Sequence, residues 1–226
     1  MQRYNGFNLI HKALRAMLYD TALTLQQTYF ADNHEAEKAL EKVEDVLFLF
    51  EHHAHHEDSF ILPVVQQYEP ALVDAFEKEH EKDLKLSNDL KNLINIYRNV
   101  NFTAELIAMG SAISKAFVEF MVFNLEHMAK EEMLLNPAMW EHYTDEQLID
   151  INRRLVATIP ANEMAIASKW MMRGINFADA IAWLAAVRSS VPAFVYESLV
   201  LLAEKEMRPE LLDKLSDVLQ GKRKVA

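Results

Sequence analysis

An all-α fold is predicted, an antiparallel four-helix bundle followed by a smaller all-helical C-terminal module. Three observations carry it. The 226 residues include only four glycines and as many as eleven methionines, apolar residues recur at a 3.6-residue period over long stretches, and no segment alternates as a half-buried strand would. The first helix is expected from about Phe7 to Phe30, with an inner stripe of Phe7, Ile10, Leu14, Leu18, Thr21 and Leu25 that has His11 as a neighbour. The second starts at Asp32 or Asn33, good capping residues, and runs through Leu40, Val43, Leu47, Phe50, His53, Glu57, Ile61 and Val64. Pro63 is expected to kink or end it. A third helix opens near Pro70, carries Phe76, His80, Leu84, Leu90 and Ile94, and stops before Asn99. The fourth runs from about Thr103 to Trp140 with Phe117, Phe120, Asn124, His127, Glu131, Leu134 and Ala138 turned inward.

After Trp140 the helices become short, with explicit starts at Thr144, Pro160, Asn176, Pro192 and Pro209. Thr144 with Gln147 forms a capping box, and Gly174 and Gly221 read as C-terminal stops. The expected division is residues 1–141 for the bundle and 142–226 for a five-helix module. That module has no histidine apart from His142 at its edge.

Composition excludes several kinds of function. With no cysteine, disulfides, thiolate zinc sites, iron–sulfur clusters and cysteine nucleophiles are ruled out, so any metal must sit on histidine and carboxylate. A net charge of −11 repels phosphate backbones, and nucleic acid is not an expected partner. No apolar run approaches the ~20 residues that span a bilayer, the most hydrophobic stretch being read around Val191 to Ala203, and no signal-peptide h-region opens the chain. A cytoplasmic protein without a membrane partner is the expectation. Glycine-rich nucleotide loops are absent, since Gly6, Gly110, Gly174 and Gly221 stand far apart.

The residues that carry chemistry come in a repeated pattern. His53 with Glu57, and His127 with Glu131, each have the four-residue spacing that stacks two side chains on one helical face. Both pairs replace apolar residues in a core stripe, both continue with a second acid, Asp58 or Glu132, and both have a proline ten residues after the histidine, Pro63 or Pro137. His11 precedes His53 by 42 residues and His80 precedes His127 by 47, so the bundle reads as two related hairpins. At about 1.5 Å per residue, the 19 residues from His11 to Phe30 and the 19 from His34 back to His53 bring His11 and His53 to one level. Burying four imidazoles and two carboxylates together is costly unless a metal compensates them. His142 and Glu146 share the spacing but straddle the Thr144 cap. His52, His55 and His56 are read mainly as solvated surface or as lying behind the ligands, His34 as too far up its helix, and Glu51, Glu126 and Asp83 as candidates to orient imidazoles from outside. Met171 and Met172 beside Trp170 read as core packing.

Residues 7–140 resemble the hemerythrin-like, or HHE cation-binding, domains, with His11, His53, Glu57, His80, His127 and Glu131 falling on that family's ordered ligand pattern. The resemblance implies a four-helix bundle holding two non-haem iron ions, the glutamates bridging them with an oxo or hydroxo bridge between, and the histidines capping them in pairs. Zinc or manganese is the lesser alternative. It further implies a protein that binds or senses dioxygen, nitric oxide or peroxide, or iron itself. The alternatives are a di-iron oxidoreductase for peroxide reduction or stress repair, and a regulatory module whose C-terminal helices meet a protein partner. Oxygen-carrying members have His-x3-His on the third helix and an aspartate as last ligand. Here Leu84 follows His80 and Glu131 is the acid, a set closer to the di-iron proteins of iron–sulfur cluster repair and to an iron-sensing domain of an F-box protein.

Overall fold

The computed structural model describes residues 3–219. Among them eleven α-helices follow one another: α1 (Asn8–Gln27), α2 (Asn33–His56), α3 (Leu62–Gln66), α4 (Pro70–Arg98), α5 (Thr103–Lys130), α6 (Asn136–His142), α7 (Asp145–Val156), α8 (Ala161–Gly174), α9 (Phe177–Ser190), α10 (Ala193–Glu206) and α11 (Pro209–Leu219). There is no strand among the described residues. Gly221 lies outside them.

The four long helices share one inward pattern. On α4 the buried residues are Val73, Phe76, His80, Asp83, Ser87, Leu90, Ile94 and Tyr97, and on α5 they include Leu106, Gly110, Ile113, Phe117, Phe120, Asn124 and His127. Steps of three and four alternate along both, the seam that keeps a straight row facing its neighbours in a supercoiled bundle. This phase corrects one expectation. Leu84 is 47% exposed, because the α4 row passes through Asp83 and a residue one step further is turned by about 100°.

The helix starts follow the sequence signals. The Asp32 side chain accepts from the backbone N–H groups of His34 and Glu35 at the start of α2, and Pro70 supplies the first residue of α4, where a missing N–H costs nothing. Close to the α1–α2 turn, Tyr97 donates its hydroxyl to the Phe30 carbonyl at 2.6 Å. There Gly110 of α5 lies so close to Phe30 that a Cβ would stand 2.0 Å from its ring.

Both helices that carry a His-x3-Glu pair pass into a π-helical turn at the glutamate. α2 is followed by Glu57–Ile61 and α5 by Glu131–Leu135, and in each the chain then resumes as α-helix, α3 and α6. The cause is the trailing proline. Pro63 and Pro137 lack an N–H and their rings exclude the carbonyl four residues back, so the preceding N–H groups reach one residue further: Leu62 donates to Glu57 and Asn136 donates to Glu131. Pro63 therefore inserts a π-turn instead of ending the helix.

Contacts divide the described residues into two compact units, one of residues 3–7 with Met17–Ile159, the other of Asn8–Ala16 with residues 160–219. α1 is unbroken and contributes to both. In the first, Phe7, Leu62, Val65, Val73, Phe76, Leu135 and Met139 form a core that also takes Leu148 and Ile151 of α7. The Thr144–Gln147 capping box opens α7 as expected. In the second, Met172, Ile175, Ala180, Leu184, Ala203 and Met207 cluster, and Asp179 accepts from Lys12 at 2.6 Å and Asn8 at 2.9 Å. Met172 is thus core, as the sequence implied. Gly174 ends α8 under the Lys12 carbonyl, 2.5 Å from where a Cβ would be.

Thr103–His142 is the one stretch among the described residues long and apolar enough, by length and composition, to cross a membrane, with a mean hydropathy of 1.6 over its best window. That corrects the expectation that the most hydrophobic stretch lies at 191–203. The inward row of this stretch is polar where it meets the site: Asn124, His127 and Glu131 are all buried.

Candidate metal centre

Six side chains converge where the seams of the long helices turn polar. His11 comes from α1, His53 from the last turn of α2, Glu57 from the first π-turn, His80 from α4, His127 from α5 and Glu131 from the second π-turn. His11, Glu57, His80, His127 and Glu131 are buried and His53 nearly so. Their ligand atoms fall into two groups of four. His11, His53, Glu57 and Glu131 each offer an atom within 4.8 Å of the others, and so do Glu57, His80, His127 and Glu131. The two glutamates belong to both groups.

Within these groups the imidazole Nε2 atoms face carboxylate oxygens. His53 Nε2 is 3.2 Å from Glu57 Oε1, His80 Nε2 is 3.5 Å from Glu57 Oε2, and His127 Nε2 is 2.9 Å from Glu131 Oε1. The opposite nitrogens are also engaged. His80 Nδ1 donates to Asp58 at 2.7 Å and His127 Nδ1 to Glu79 at 2.8 Å. An ionised carboxylate only accepts, so Nδ1 of each ring carries the proton and a neutral ring would aim a bare Nε2 lone pair at further carboxylate oxygens. Lone pairs facing each other repel, and either a proton or a cation must stand between them.

The protonation behaviour agrees with that geometry. Burial alone would lower the pKa of His80, but Glu131, Glu57 and the charge of Asp58 outweigh it and push it up to about 11. His127 follows the same balance, burial opposed by Glu131, Glu57 and Glu79, and reaches about 9. Glu79 lies below its ordinary range: burial opposes the charge, and the hydrogen bonds from Lys130 and His127 overcome it. Asp83 goes the other way, raised by burial despite a 2.6 Å hydrogen bond from Asn124 Nδ2.

The surrounding residues take places that differ in part from expectation. His56 is buried, which sets aside solvated surface and keeps the other reading, a place behind the ligands. It belongs to neither four-residue group. His55 is exposed, and His52 lies tilted against Phe48, ring centres 4.1 Å apart, and donates to its carbonyl. His34 is exposed at the far end of α2. His142 closes α6 and stacks on Tyr68 at 3.7 Å. The acids that orient imidazoles are Asp58 and Glu79. Glu51 pairs instead with Lys91, Glu126 with Lys130, and Asp83 bonds Asn124. Sequence reasoning missed Glu79: it sits next to His80, but consecutive helical residues diverge by about 100°, and which helix it then meets depends on packing.

Residues 4–139, more than half of the chain, match the family model "Hemerythrin HHE cation binding domain". The chain is 27% identical to F-box/LRR-repeat protein 5 of Bos taurus over 135 residues, 59% of this chain and 18% of that protein. The same protein of Mus musculus gives 27% over 135 residues, 59% and 19%. Zinc finger protein BRUTUS of Arabidopsis thaliana is 24% identical over 188 residues, 82% of this chain and 14% of that one. The chain thus spans less than a fifth of the length of each of these relatives. No solved structure matches it. With the six-residue cluster at the meeting point of a helical bundle and the family match across it, the chain belongs to the hemerythrin HHE cation-binding domain family.

Proposed function

We propose that this domain binds two iron ions side by side and uses them to bind or sense a small ligand, dioxygen, nitric oxide or peroxide, or to sense iron itself. The observation that carries this reading is the sharing of Glu57 and Glu131 between two groups of four ligand atoms. A carboxylate has two oxygens, so two glutamates can bridge a pair of cations while His11 and His53 serve one and His80 and His127 the other. The donor set fits. Imidazole nitrogen and carboxylate oxygen both suit iron, and donors on opposite sides of one ion stand about 4 Å apart, close to the 4.8 Å limit within which each group lies. Each ion would then have about four protein ligands of roughly six. Bound iron would supply open coordination positions and a change of oxidation state.

The chain's own residues supply the rest. Asp58 and Glu79 hold the Nδ1 protons of His80 and His127, and the buried seam residues Phe117 and Phe120 exclude water from the bundle interior. The test is to load the protein with ferrous iron without oxygen and then add dioxygen, nitric oxide or peroxide in turn. Visible absorption that changes with at least one of them is expected. A fully loaded protein whose spectrum ignores all three contradicts the small-ligand part of the reading.

A further inference from the structure

Two successive residues of the first π-turn address one imidazole. Glu57 approaches His80 at Nε2, 3.5 Å away, while Asp58 accepts from its Nδ1 at 2.7 Å. The next histidine is held in the same manner. Glu131 stands 2.9 Å from His127 Nε2, and Glu79, the residue before His80, accepts from its Nδ1 at 2.8 Å. Glu79 is fixed in turn by Lys130 at 2.8 Å, and Lys130 lies 3.2 Å from Glu126.

Both braced rings belong to the same group of four ligand atoms, the one formed with Glu57 and Glu131. An imidazole turns about its ring-bearing bond over a broad, nearly two-fold range, so packing alone does not decide which nitrogen faces inward. A carboxylate on Nδ1 decides it. It fixes the tautomer, aims Nε2 and raises the ring's basicity toward a cation.

We propose that Asp58 and Glu79 are positioning residues for the cation position facing His80 and His127, and that they set how tightly this position retains metal independently of the other. This rests on the two-cation reading above. Replacing either acid by its amide keeps its size but removes the charge that holds the Nδ1 proton. Loss of such a partner typically weakens metal retention about 10–100-fold.

The experiment uses the full chain loaded anaerobically with ferrous iron and challenged with a strong ferrous chelator, release being followed in time. In Asp58→Asn and in Glu79→Gln, one of the two irons should leave about 10–100-fold faster than in the parent protein, the other at the parent rate. The metal-free variants should still unfold in one cooperative step, at a midpoint somewhat below the parent's because the charge-assisted bond to Nδ1 is lost. Release of both irons at the parent rate overturns the proposal, and so does equal acceleration of both, which is the mark of a merely loosened bundle. The acids lie on different elements, so if one variant fails to fold the other decides. A parent protein that holds no iron counts instead against the two-cation reading.

Discussion

His80 and His127 each stand between carboxylates on both ring nitrogens, which makes a doubly protonated ring the resting form without metal. Their folded pKa values, about 11 and about 9, lie above the ordinary 6.5. For a raised histidine the stabilisation is complete below pH 6.5 and is lost as pH rises, here through 9 and then 11. A coordinating imidazole must be neutral at the ligating nitrogen, so cation and proton compete. At pH 7 both rings should give up a proton when metal binds, about two protons per chain. Metal affinity should therefore rise with pH, steeply up to about 9 and less steeply from there to about 11. Calorimetry in buffers of different ionisation enthalpy reads the release directly, and binding heats that do not depend on the buffer would contradict it.

The six converging residues were legible because their spacing repeats and because each sits in a row otherwise apolar. The braces were only half legible. Asp58 stood out beside Glu57, but Glu79 touches a histidine on another helix, and no period along one helix predicts which neighbour a side chain reaches. The sequence leaves His56 between solvated surface and a place behind the ligands for a related reason: His52, His55 and His56 stand close together, and burial at one of them depends on what packs opposite.

At the scale of elements, the helix starts followed from Asp32, Pro70, Thr144, Asn176 and the later prolines, while the π-turns did not. Pro63 and Pro137 announced an interruption, but a proline can end, kink or widen a helix, and the choice depends on whether the chain beyond still has a core to join. Here it does, since Leu62, Val65, Leu135 and Met139 pack together. Leu84 fits the hydrophobicity of a core stripe but not the phase of α4, and is exposed.

Gly110 gives the element-scale prediction. Replacing a glycine inside a helix by alanine normally gains about 1 kcal/mol in propensity. At Gly110 the new Cβ would lie 2.0 Å from Phe30 Cγ and 2.6 Å from its Cβ, and a Cβ cannot swing away as a side-chain tip can. Overpacking of this kind costs about 1–3 kcal/mol. Gly110→Ala should therefore be destabilised in denaturant titration of the metal-free protein, and a stabilised variant would show that Phe30 moves freely.

At the scale of the whole molecule, two features set what the chain does. The bundle's four seams place polar residues at one level, and a duplicated His-x3-Glu with its proline supplies the shared carboxylates. The C-terminal helices were legible one by one, through their caps. Which compact unit each joins was not, because that depends on non-local packing such as that of Leu148 and Ile151 on α7.

Whether two cations share Glu57 and Glu131 is read from iron per chain after anaerobic reconstitution and desalting, in the parent protein and in the double variant Glu57→Gln, Glu131→Gln. The parent should hold two irons and the double variant should lose both, because each position depends on both carboxylates. A parent that retains at most one iron, or a double variant that still retains two, would contradict that sharing.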